Sequence, residues 1–203
     1  EIKIFHNEKY YYFYLIKGKN ELKIPISIEN PKLWWCNGLG DPYQFLFQFE
    51  IVYNDTIIDY TAVKVGIRKI ELIQDKDEFG TSFYFKLNGK PVFMNGIAEY
   101  EHLLGQSHAF SHEQILSRFK WIQSSGFNAF RDGHQPHNLL YGQICDQKGI
   151  LWWTQLSAHV WYDSPEFRTN FKQLLKEWVI ERRNSPSIIL WGLQNESKLP
   201  EDF

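Results

Sequence analysis

Apolar and polar positions change their rhythm once along this chain of 203 residues, near residue 87. Before that point short runs recur in which several positions alternate between apolar and polar, as in "YYYFYLI", "ELKIPISI", "YQFLFQFEIVY", "DYTAVKVGIRKIELI" and "TSFYFKL". A period of two is the pattern of half-buried antiparallel strands. Turn-forming residues separate the runs at Lys17-Gly18-Lys19-Asn20, Asn37-Gly38 and Asn54-Asp55. The turn spacing suits an immunoglobulin-like sandwich, but there are fewer strands than the roughly seven of a complete one. Residues 1–86 are therefore expected to form such a β-sandwich with its beginning missing.

From "NGKPVFMNGIAEY" onward the rhythm is strand, helix, strand, helix, with apolar runs beginning at Val92, Phe127, Ile150 and Ser187. Ser111 with Gln114 three residues later has capping-box spacing, and Gly126 follows as a stop. A second helix should follow Pro136 and close at Gly149. A third should start at Ser164-Pro165, bury Phe167, Phe171, Leu174, Leu175 and Trp178, and end before Asn184-Ser185-Pro186. Four parallel strands joined by three crossover helices follow. A doubly wound nucleotide-binding sheet would need a glycine-rich turn after its first strand, and "NGIAEYEHLLGQ" lacks the GxGxxG spacing. The pattern predicts the first half of a (β/α)8 barrel over residues 87–203.

Composition narrows the partners. Twenty-two basic against 24 acidic residues give a net charge of -2, which argues against a nucleic-acid partner or an electrostatically held membrane surface. No run of about 18 apolar residues occurs, so no transmembrane helix is expected. The first twenty residues do not have the layout of a signal peptide. Cys36 and Cys145 lie far apart and read as free thiols that name no compartment. Aromatic residues make up 17% with eight Trp, which suits stacking on sugar rings as well as core filling.

In a barrel, functional residues sit at the carboxyl ends of the strands. The four expected strands lead to Glu99, Tyr100, Glu101 and His102; to Arg131, Asp132 and His134; to Gln155 and His159; and to Gln194, Asn195 and Glu196. One polar strand end is ordinary, because loops are polar. Four in succession with carboxylate, guanidinium and imidazole indicate a site. The histidines lack the close spacing of a zinc site, and no GxSxG elbow supports acyl transfer. A carboxylate emerging from the apolar run "SIILWGLQNES" suits a general acid, since partial desolvation raises a carboxyl pKa.

The segments "PKLWWCNGLGDPYQF", "FYFKLNGKPVFMNGIAEYEH", "GFNAFRDGHQPHNLLY", "CDQKGILWW" and "ERRNSPSIILWGLQNES" occur in an order that resembles glycoside hydrolase family 2 over nearly the whole chain. "RNSPSIILWGLQNE" is similar to that family's RNHPS...W...NE signature, with Ser185 in place of its histidine; Cys36 likewise stands where WWPNG has proline. The resemblance implies a multidomain retaining enzyme acting on β-glycosides, most nearly a β-galactosidase, with an oligosaccharide or β-glycoside as its partner. It implies that Glu196 is the acid/base, that Asn195 binds the sugar 2-hydroxyl, and that Arg131 steers nearby carboxylates. It implies further substrate contacts from His134 and Tyr100. His159 and the loop residue Trp161 complete the expected substrate-binding set. The acidic magnesium ligands of some β-galactosidases are missing from "TQLSAHVWYD", so no metal and no cofactor are expected. The nucleophile of the family comes from a later strand, so this chain is expected to supply the acid/base alone and to depend on the remainder of its parent chain. Glu99 and Glu101 are weak substitutes, more naturally read as ion-pair partners. A non-catalytic carbohydrate-binding or scaffold relative is the alternative. Trp34, Trp35, Trp152 and Trp153 are expected in the core. Asn54-Asp55-Thr56 and Asn195-Glu196-Ser197 fit a glycosylation sequon, and neither is read as modified.

Overall fold

The computed structural model describes residues 1–100, 110–156 and 163–197. These divide into two compact units, one of Glu1–Lys32 with Gln44–Val65 and one of Leu33–Tyr43 with residues 66–203.

The first unit is built on one antiparallel sheet. Its strands are β1 (Ile2–His6), β2 (Lys9–Phe13), β3 (Phe45–Tyr53) and β4 (Thr56–Val65), in the order β2-β1-β3-β4. Asn7 and Glu8 (φ 49° and 63°) and Asn54 and Asp55 (φ 46° and 58°) form the two tight turns. Positive φ at both central residues matches the twist of the flanking strands, and Asn and Asp tolerate it better than most residues. Ile2, Ile4 and His6 point to the buried side of the sheet. The segment "ELKIPISI" is not a strand: residues 21–28 join no ladder, and Pro25 has no N–H to donate to one. "YYYFYLI" likewise stops pairing at Phe13.

In the second unit, β5 (Ile70–Ile73), β6 (Tyr84–Leu87) and β7 (Lys90–Val92) form a small antiparallel sheet. The parallel sheet follows, with β8 (Gly96–Glu99), β9 (Ala129–Asp132), β10 (Leu151–Gln155) and β11 (Ile188–Gly192) side by side in chain order. Helices α1 (His112–Ser124), α2 (Leu139–Lys148) and α3 (Pro165–Arg182) make the crossovers. This is the start of a (β/α)8 barrel. Its first strand begins at Gly96 rather than Val92, because Val92 closes the hairpin turned by Asn88 and Gly89.

The helix ends are where local sequence puts them. Ser111 Oγ accepts from the Gln114 N–H while the Gln114 side chain accepts from the Ser111 N–H, a reciprocal capping box. Ser164 Oγ accepts from the Phe167 N–H above a first-turn proline, and Gly149 ends α2 in the left-handed region. On α3, Phe171 and Trp178 are buried as expected, whereas Leu174 is 50% exposed and lies off the buried stripe.

The main core packs α1 and α2 against the sheet through Ile115, Phe119, Ile122, Phe130, Tyr141 and Trp152. Gly142 lets α2 approach, since a Cβ there would stand 2.5 Å from the Trp152 ring. Cys36 and Cys145 are both free and buried. Ser185, at the signature's histidine position, donates to Asp146 Oδ1 at 2.5 Å, and the Ser187 N–H donates to the same oxygen at 3.0 Å. These bonds tie the approach to β11 onto α2.

Candidate active site

Consecutive residues of a strand face opposite sides of its sheet. In β9 this puts Arg131 on one side and Asp132 on the other, and in β10 it separates Trp153 from Trp152 and Thr154. The pairing of Ala98 with Arg131 and of Arg131 with Trp153 extends the first side across three strands. On that side a cavity of about 240 Å³ is lined by Met94, Ala98, Arg131, Trp153 and Leu190, among others. The Arg131 guanidinium lies 4.3 Å from the Trp153 ring centroid. Trp153 is 36% exposed, so it belongs to this concave side and not, as expected, to the core; Trp34 and Trp152 are fully buried.

Beyond the strand ends the polar groups converge. Arg131 Nη2 donates to Gln155 Oε1 and to Asn195 Oδ1, each at 3.2 Å, and lies 3.4 Å from His134 Nδ1. The Gln155 amide in turn donates to the Gln194 carbonyl at 2.9 Å, immediately before Asn195. Arg131 was expected to steer carboxylates; its hydrogen-bond partners among the described residues include none. Tyr100 stands edge-on to His134 with ring centroids 5.2 Å apart. Gly133 makes this crossing possible: a Cβ there would lie 2.6 Å from the Glu99 carbonyl oxygen, to which the Gly133 N–H donates. Glu196 follows Asn195 with φ 53° and is exposed, so the desolvation expected of it is not found in this arrangement. Glu99 pairs with Arg118 of α1, the structural role anticipated for it. Glu101, His102, His159 and Trp161 lie outside the described residues.

At the strand ends the carboxylate that is buried is Asp132, on the opposite side of the sheet and with no solvent exposure. It accepts from Trp152 Nε1 (2.7 Å), Thr154 Oγ1 (2.9 Å) and the Gln155 N–H (3.0 Å), and lies 3.2 Å from His137 Nδ1. Burial pushes its pKa up to about 7, against the opposing pull of these hydrogen bonds and of Arg182. The folded chain therefore holds the Asp132 proton more tightly than the unfolded chain, whose ordinary value is 3.8. Its contribution to stability is complete below that value and is lost as pH rises through about 7, by on the order of a few kcal/mol. Asp132→Asn has no such proton to lose. Chemical denaturation of both proteins from about pH 4 to pH 8 should show wild type losing stability relative to the variant as pH rises. The opposite trend would mean that the partners outweigh burial.

Sequence reasoning named Asp132 and Gln155 as strand-end residues but assigned them no role, and it placed Trp153 in the core. Parity would have found Trp153, because adjacent tryptophans in one strand cannot both face the helices.

Comparison with known proteins agrees with this architecture. Residues 81–203, more than half of the chain, match the family model described as glycosyl hydrolases family 2, TIM barrel domain. Residues 8–68 match the model described as glycosyl hydrolases family 2. A beta-galactosidase of Psychromonas ingrahamii is 28% identical over 183 residues, covering 86% of this chain and 17% of that protein. A beta-glucuronidase of Bacteroides fragilis is 27% identical over 184 residues, covering 87% of this chain and 25% of that protein. The crystal structure of a beta-D-mannosidase from Dictyoglomus thermophilum superposes with a TM-score of 0.79 at 30% identity, over 94% of this chain and 24% of that one. The chain thus spans a quarter or less of these relatives. With a sandwich portion followed by the opening βα units of a barrel, and a family match to each, the chain belongs to glycosyl hydrolases family 2.

Proposed function

We propose that this chain forms part of a retaining β-glycosidase and contributes its general acid/base, Glu196, from the end of β11. Residues 87–203 are the catalytic part and residues 1–86 the sandwich that precedes it. The observation that carries the reading is the double contact of Arg131 Nη2 with Asn195 and Gln155, which seats the residue before Glu196 at the mouth of the parallel sheet. Asn195 then presents its amide to the sugar 2-hydroxyl, a contact that strengthens at an oxocarbenium-like transition state. His134 and Tyr100 line the sugar pocket, with Trp161 as a stacking face and His159 as a further polar contact. Relatives named for galactosides, glucuronides and mannosides support a β-linked pyranoside as substrate, and β-galactosides are the first class to test.

Retention needs a second carboxylate about 5 to 5.5 Å from the first, as nucleophile. We place it outside these 203 residues. Arg131 Nε, buried with no hydrogen-bond partner among the described residues, offers a donor to such a carboxylate. A mechanism-based 2-deoxy-2-fluoro glycoside should label the full-length protein on a glutamate outside residues 1–203. Purified residues 1–203 should show no turnover of an aryl β-glycoside. Labelling of Glu99 or Glu196, or turnover by the 203 residues alone, would overturn the assignment.

A further inference from the structure

We infer that Asp132 is a positioning residue for the proposed acid/base, holding Gln155 from behind the sheet and, through Gln155, the Arg131 and Asn195 pair in front of it. The inference rests on the glycosidase reading of Glu196. Its geometric basis is a chain of contacts that passes through β10 from one side to the other.

Behind the sheet, Asp132 Oδ2 takes the Gln155 backbone N–H and the Thr154 hydroxyl, and Oδ1 takes the Trp152 indole N–H. Three residues of β10, Trp152, Thr154 and Gln155, are thereby pinned to the last residue of β9. In front, the Gln155 side chain accepts from Arg131 and donates to the Gln194 carbonyl. Gln155 is fully buried, so its amide has little room to find other partners. Both of its side-chain bonds must be made for the loop after β11 to sit where it does, and both depend on the backbone position that Asp132 sets.

The carboxylate is itself braced. His137 Nδ1 stands between Asp132 Oδ1 and the Gln135 carbonyl, 3.2 Å from each, and Arg182 of α3 donates to the His137 carbonyl at 3.1 Å. Ladder bonds alone would hold β9 beside β10. The convergence of Trp152, Thr154 and Gln155 on one carboxylate adds control over the final residue of β10, whose side chain reaches the site. Asp132 touches no substrate in this scheme; it acts only through Gln155.

A double-mutant cycle in the full-length enzyme tests this. Asp132→Ala and Gln155→Ala should each lower kcat on an unactivated β-glycoside by about ten- to a hundredfold, the scale expected for a misplacement of about 1 Å. KM should move by less than about threefold, because alignment rather than ground-state binding is lost. The double variant should fall no further than the worse single one, since residues acting in series do not add. Multiplying losses would overturn the inference, as would an Asp132→Ala effect confined to melting temperature. Should Asp132→Ala not fold, Asp132→Asn replaces it in the cycle, because an amide can serve only one of the two donor sets. Should neither fold, Gln155→Ala alone decides, and an unchanged kcat refutes the route. Glu196→Gln belongs in the same panel. If that substitution leaves turnover unchanged, the glycosidase reading fails; if it impairs turnover while the Asp132 and Gln155 variants do not, only this inference fails.

Discussion

Glu196→Gln in the full-length protein should lower kcat/KM for an alkyl or oligosaccharide β-glycoside by about 10²- to 10⁴-fold, the usual worth of a positioned proton donor. For a dinitrophenyl glycoside the same variant should lose less than about tenfold in kcat/KM, because a stable phenolate departs without needing a proton. The split follows from what kcat/KM measures, which ends at the first irreversible step, formation of the glycosyl-enzyme. On the activated substrate, kcat should still fall, since hydrolysis of that intermediate uses the same residue as base. Added azide, a nucleophile that needs no deprotonation, should restore turnover there. Equal kcat/KM losses on both substrates would assign Glu196 a structural role. The left-handed φ of Glu196 makes the expectation sharper, because Gln keeps the same backbone tolerance and leaves the turn unchanged apart from the charge.

Arg131→Lys should be nearly as damaging, with kcat/KM reduced about a hundredfold, although it preserves the charge. One guanidinium nitrogen reaches two amide oxygens at 3.2 Å while the planar group lies 4.3 Å over the Trp153 ring. An ammonium is a compact, strongly hydrated point and cannot stack and fork at once. Steady-state kinetics on the full-length enzyme would check this, with circular dichroism to confirm folding. Wild-type activity in Arg131→Lys would mean that charge alone is required.

Much of the second unit was legible because its signals are local. Ser111 with Gln114, Ser164 with Pro165, and Gly149 each specify a helix end through bonds that span four residues or fewer. Strand order followed from the rule that βα units lie side by side, and the rule on strand ends brought Arg131, His134 and Asn195 into one list before any coordinates. The partners of Asp132 were not legible. All but His137 come from β10, some twenty residues away, and depend on the register between β9 and β10, which alternation does not encode. "ELKIPISI" misled for the opposite reason: its residues favour extended backbone, but a strand also needs a neighbour, and none pairs with it among the described residues.

The partners of Arg131 have a further consequence. Through a retaining cycle the acid/base surrenders a proton in one half-reaction and recovers it in the other. Had the guanidinium been bound to carboxylates that titrate in the same range, each transfer would shift charge throughout the mouth. Gln155 and Asn195 carry amides that hold no ionisable proton, so these two contacts of Nη2 bear the same charge in both halves. On the proposed reading, the charge that changes beside Arg131 is then the nucleophile's, lost on glycosylation and regained on hydrolysis, while the two amides stay neutral.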